Sequence, residues 1–266
     1  MTDAGHSPAS TSGLRGAALF SRYAYPPNFL GYCGPPDSDA VFALASGSGH
    51  QHPAAMAARF DGAWMFLCLI ADCNGISDPL DERVVEAYWV GNALLEQVPP
   101  PRLAECVRRA GVVGAGAGAV SAATGGGLAH HSFQVFAVYP WFGLLHSRHA
   151  QVPLMVLDRC RIRWGTVEHI DGDSAVVTSR RLALREDRLV IGDESSETVR
   201  CARGGVALAE SLQVGDVVSL HWDWICDRLS QAPLASLRSV TEHNLQVVNA
   251  SASASASEQA GIGYDG

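Results

Sequence analysis

Seven cysteines and ten histidines hold most of the reactive side chains of this 266-residue chain. Cys33 lies in Tyr32-Cys33-Gly34-Pro35, a Gly/Pro loop between two helical stretches. A loop thiol beside a cation or a helix N-terminus is the reactive kind, and Ser38 opens a helix close by. His130-His131 starts an aromatic segment that ends in Tyr139-Pro140-Trp141. Adjacent histidines point apart, so they do not chelate one ion together. One of them, His131, can instead serve Cys33 as base in a Cys–His arrangement; the plainer reading is a polar helix opening. Trp222 and Trp224 straddle Asp223, which on one strand puts both rings on one face, as a partner surface or as core. Cys68 and Cys73 fall in an apolar helical stretch and read as core. The sequence has no CxxC pair, which argues against a structural zinc knuckle.

Composition narrows the class. Hydrophobic residues make up 47% and charged residues 17%, enough apolar material for a packed core. The net charge is −8 with no basic stripe, unlike a nucleic-acid binder. The N-terminus has no apolar signal region, and the apolar stretches near 63–71 and 133–145 are shorter than the roughly 20 residues of a membrane span. A soluble, cytoplasmic protein with reduced thiols is expected.

The elements that position these residues fall into two parts. Residues 1–13 read as a disordered leader. The pattern predicts helices over 14–25 (stopped by Pro26-Pro27), 38–45, 54–72 and from Ser77 to Val98, then a shorter one to Arg109. Residues 111–129 are rich in Gly and Ala, and the GAGAGA run there has no preceding strand and no acidic residue at the right distance for a dinucleotide site. His130–Leu145 reads as a last helical or extended aromatic segment. From about Val152 the texture changes to short β-branched runs: a strand over 161–170, a tight turn at Asp171-Gly172-Asp173, returning strands at 175–179, 182–184, 189–191, 198–201 and 206–208, a turn at Val214-Gly215-Asp216 and a strand over 217–222. A helix follows Cys226, and the SASASAS tail from Asn249 reads as disordered. The expected fold is α+β: a mostly helical domain over 14–150, then a small antiparallel, OB-like β-barrel with a C-terminal helix over 152–248.

The barrel segment resembles the HypC family of hydrogenase maturation chaperones. Cys160 stands five residues before Gly165 and is followed by Val167. Ile170-Asp171-Gly172-Asp173-Ser174-Ala175 matches a first hairpin. Val214-Gly215-Asp216-Val217-Val218 with His221 matches a last strand, and a helical stretch follows. The resemblance implies that Cys160 and His221 meet at one rim and bind an iron–cyanide–carbonyl fragment. It also implies a hydrogenase large subunit or another maturation protein as partner. A soft thiolate and an imidazole suit low-spin iron(II), and the first and last strands of a small closed barrel can be neighbours. The chain departs from the family in having Cys160 internal and Trp164 where the family has proline. Arg161 and Arg163 follow Cys160 at i+1 and i+3 on the opposite strand face, either to lower its pKa, to face a partner, or as ordinary solvent-facing charges. Arg161, Arg163, Trp164, Trp222 and Trp224 form the candidate partner-binding set. The leading expectation is a non-enzymatic assembly factor. The rivals are a cysteine-dependent enzyme using Cys33 and His131, and a plain interaction module.

Overall fold

Proline lacks an N–H and its ring crowds the carbonyl four residues back, so Pro26-Pro27 should end the first helix. In the computed structural model, which describes residues 11–49, 52–109, 117–145 and 150–261, helix α1 instead runs Thr11–Phe29 through both prolines. The carbonyl that Pro27 leaves without a helical partner is that of Tyr23, and it is taken by a side chain from the barrel. The helix therefore continues because tertiary contacts replace the missing bond. Most of the expected leader (1–10), part of the Gly/Ala-rich segment (110–116) and the last five residues lie outside the described residues.

Around α1 pack α2 (Ser38–Ala45, capped by the Asp37 side chain on Ala40 N), α3 (Pro53–Ala57), α4 (Asp61–Cys73) and α5 (Glu82–Trp89). The helix predicted from Ser77 to Val98 is shorter. Asp81 caps it, and Gly91, at φ 97, turns the chain into a 3-10 turn over Ala93–Gln97. Then come α6 (Pro100–Arg109), α7 (Ala117–Thr124) and α8 (His131–Phe133), which continues as a π-turn over Gln134–Val138. Such π-turns recur at functional sites. Helix α9 (Gln151–Cys160) leads into the barrel.

The strands are β1 (Arg163–Asp171), β2 (Ser174–Arg185), β3 (Arg188–Arg200), β4 (Ala202–Arg203), β5 (Val206–Ala207), β6 (Val217–His221) and β7 (Trp224–Arg228). Five close into a barrel in the order β1-β2-β3-β7-β6, while β4 and β5 form a separate ribbon. The runs read as four short strands between 175 and 201 are two long ones, β2 and β3. The barrel is mixed rather than antiparallel throughout, because β3 meets β7 in parallel at Arg200 and Trp224. Gly165 is required at the β1–β2 contact: a Cβ there would lie 2.5 Å from Val177 and 2.7 Å from the Thr178 carbonyl.

Register positions the site. Arg163 pairs with Leu220 and Thr166 with Val217 across β1–β6. His221, at the end of β6, therefore lies beside the junction between α9 and β1. Helix α10 (Gln231–Gly261) passes Asn249, where the sequence predicts a disordered tail. Asn249 brackets the Leu189 backbone with both ends of its amide, and Asn244 ties Leu128 and Ser132. One apolar core runs from α1, α4 and α5 through Trp164, Leu182, Trp224 and Leu237, so the helices and barrel share it; a smaller core fills the barrel around Val177, Val218 and Ile225.

Candidate metal centre

Cys160 is the last residue of α9 rather than part of the opening strand. A helix end leaves carbonyls unpaired, and the Cys160 carbonyl accepts a hydrogen bond from His131 Nε2 at 2.8 Å. A carbonyl only accepts, so His131 carries its proton on Nε2 and has a lone pair on Nδ1. That Nδ1 meets the Tyr88 hydroxyl at 3.0 Å. The single Tyr88 hydroxyl proton serves either that nitrogen or Gln134 Oε1, and Gln134 Nε2 donates to the Tyr139 hydroxyl at 2.9 Å.

His221 is held by the carbonyl that Pro27 leaves free: its Nδ1 donates to Tyr23 O at 2.6 Å. The proton is thereby fixed on Nδ1, which leaves the Nε2 lone pair open. A backbone carbonyl on one ring nitrogen, fixing the tautomer of the other, is the usual support for a metal-binding histidine. Nε2 of His221 is buried and makes no hydrogen bond, although the Cys160 carbonyl is close enough to influence its pKa. An unpartnered buried nitrogen is costly unless a ligand satisfies it.

One ligand atom each from His131, Cys160 and His221 lies within 4.8 Å of the other two. The two imidazoles meet edge to face, 5.1 Å between centroids, and Trp89 packs against both. Donors around a tetrahedral ion, bonded at about 2.0–2.3 Å, stand roughly 3.5 Å apart. Closing the group on an ion therefore needs a shift of about 1 Å on that geometry. A Cys/His₂ donor set suits borderline and soft divalent ions, zinc and iron(II) among them.

The electrostatics keep the site neutral. Burial lowers His131 to about 4 and His130 to about 3, and drives His221 well below the usual imidazole range, with His131 adding to the shift. Burial, with Cys33 as the second cause, holds the Cys160 thiol far above its ordinary value. The neutral His221 imidazole presents an unpartnered lone pair to a cation, the His131 lone pair becomes available when the Tyr88 hydroxyl turns its proton to Gln134, and the thiol must lose its proton on binding.

The site faces a cavity of about 440 Å³ whose lining includes Cys33, Asp61, Gln134, Trp141, Cys160 and His221. Cys33 and His131, which the sequence offers as a nucleophile and its base, thus share a chamber with Cys160 and His221. They do not form an activated pair, since both His131 nitrogens are engaged elsewhere and burial pushes Cys33 up to about 12.

The candidate partner-binding residues are buried, so none offers a docking face. Arg161 and Arg163, 1% and 0% exposed, are not solvent-facing, and carboxylates neutralise both. Arg161 pairs with Asp158 at 3.1 Å and with the Arg180 carbonyl; Arg163 pairs with Glu197 and the Trp222 carbonyl. Trp164 stacks under Arg161 and Arg238. Trp222 and Trp224 do not share a strand face: Trp222, at φ 53, forms the turn between β6 and β7. It stacks on Tyr32 at 4.2 Å, whereas Trp224 packs edge-on to Tyr25.

Sequence reasoning missed His131 as a candidate ligand beside Cys160 and His221, because only the fold joins a helix opening to a helix end and a strand end.

Among the described residues no helix is long and apolar enough to cross a membrane. No curated protein and no solved structure matches the chain. Residues 12–255 match the model of DUF6390, a family of unknown function, and the chain belongs to that family.

Proposed function

We propose that this protein is a metal carrier whose cargo docks on His131, Cys160 and His221, and that it serves as an assembly factor for a metalloenzyme. The observation that carries this reading is the group of three residues whose ligand atoms lie within 4.8 Å, together with the buried, unpartnered Nε2 of His221. Three protein donors beside a cavity leave coordination positions open. Structural sites are usually closed by four protein ligands, whereas sites that react or exchange keep a position free. In the cavity Cys160 supplies charge and softness, while the two neutral imidazoles add donors without adding charge.

The nature of the cargo rests on the resemblance of the barrel segment to the HypC family, through Cys160, the 170–175 hairpin and the 214–221 strand. On that resemblance the cargo is an iron–cyanide–carbonyl fragment, the partner is a hydrogenase large subunit or another maturation protein, and the setting is the cytoplasm.

The test is infrared spectroscopy and iron analysis of the full chain, isolated without oxygen from cells making hydrogenase, beside Cys160→Ala. Cyanide and carbonyl stretches in the parent and not in the variant are expected. Iron-free parent protein without those bands, isolated together with intact maturation proteins, would remove the iron-fragment reading.

A further inference from the structure

Cys33 lines the same cavity as His131, Cys160 and His221 but stands outside their 4.8 Å group. Its loop is built to hold it there. Asn28 Nδ2 donates to the Cys33 carbonyl at 2.8 Å and to the Pro35 carbonyl at 2.6 Å, which clamps the backbone at the thiol and just after it. Gly31 and Gly34 take φ 76 and φ 81, a conformation that side-chain-bearing residues rarely adopt. A Cβ at Gly34 would lie 2.3 Å from the Phe60 ring, so the loop sits tightly against the helical layer. Tyr32 stacks on Trp222, the residue that follows His221. The loop is thus tied to the turn carrying a ligand whose Nε2 is buried and unpartnered.

We propose that Cys33 is a fourth protein donor, completing a His₂Cys₂ set around a bare divalent cation of borderline-soft character. This rests on the reading of His131, Cys160 and His221 as metal ligands, but not on the identity of any cargo. Two thiolates and two neutral imidazoles give a bare dication a neutral, four-coordinate shell. Because Cys33 stands outside the preformed group of three, it is the donor that a cargo bringing its own ligands displaces.

Cobalt(II) is the probe, because thiolate-to-cobalt charge-transfer absorption counts sulfur ligands. The reduced full-length protein is titrated without oxygen, with Cys33→Ser and Cys160→Ser alongside. The parent should show tetrahedral cobalt bands, and each single variant should lose about half of the charge-transfer intensity. X-ray absorption of the zinc-loaded parent needs no variant: two sulfur neighbours near 2.3 Å and two nitrogens near 2.0 Å are expected. One sulfur neighbour, with charge transfer unchanged in Cys33→Ser and abolished in Cys160→Ser, overturns the role of Cys33 and leaves the three-donor site standing. A parent that takes up neither ion overturns both readings.

Discussion

Replacing Pro27 by alanine should weaken metal binding without weakening the fold, an unusual combination for a buried residue in no direct contact with the ion. Alanine restores an N–H directed at the Tyr23 carbonyl, the acceptor now used by His221 Nδ1 at 2.6 Å. Trimming the ring removes two buried carbons, worth about 1–2 kcal/mol at about 0.8 kcal/mol each. Relieving proline inside a helix returns up to about 3 kcal/mol. The net stability should hold or rise slightly. His221, by contrast, loses sole use of the carbonyl that fixes its tautomer. Loss of such support costs about 10- to 100-fold in metal affinity, or roughly 1.4–2.8 kcal/mol. The assay is a zinc titration against a competing chelator for the parent, Pro27→Ala and His221→Ala, with thermal melts of the metal-free proteins. Parent-like zinc affinity in a well-folded Pro27→Ala would refute the claim that this proline positions His221.

Three further outcomes follow from the same geometry. Arg163→Ala leaves Glu197 buried with only Arg181 and Ser179 as partners, so denaturant unfolding should show a loss below the roughly 3–5 kcal/mol of an uncompensated buried charge, with Arg163→Lys losing less. His131 has a folded-state pKa near 4, below its unfolded value near 6.5. Its neutral form is the one folding favours, so stability is complete above pH 6.5 and declines by up to about 3 kcal/mol as pH falls to 4; a His131→Gln variant should show a shallower decline in pH-dependent melts. The Cys160 thiol is protonated at neutral pH and must ionise on binding, so zinc affinity should rise about tenfold per pH unit for each thiolate formed while imidazole protonation stays negligible, as calorimetry at pH 7 and 8 would show.

The α+β class, the hairpin at 171–173 and the Gly215 turn were legible because β-branched runs and turn glycines carry local signals. Helix α1 was misread at Pro26-Pro27 because a local stop signal does not reveal a histidine 194 positions later that takes the freed carbonyl. Arg161 and Arg163 were misread for a related reason: arginine is usually exposed, and Asp158 and Glu197 neutralise these two only once α9, β1 and β3 are assembled. Cys160 and His221 could be singled out through the ordered segments around them. His131 could not be joined to them from spacing, since its approach depends on a helix-end carbonyl supplied by the fold.

The most direct test of the central claim is native mass spectrometry of the reduced full-length protein equilibrated with one equivalent of zinc, beside Cys160→Ala and His221→Ala. The parent should hold one ion per chain, and both variants should show a large loss of occupancy at the same concentrations. A parent that remains metal-free, or variants that load as fully as the parent, would contradict the claim.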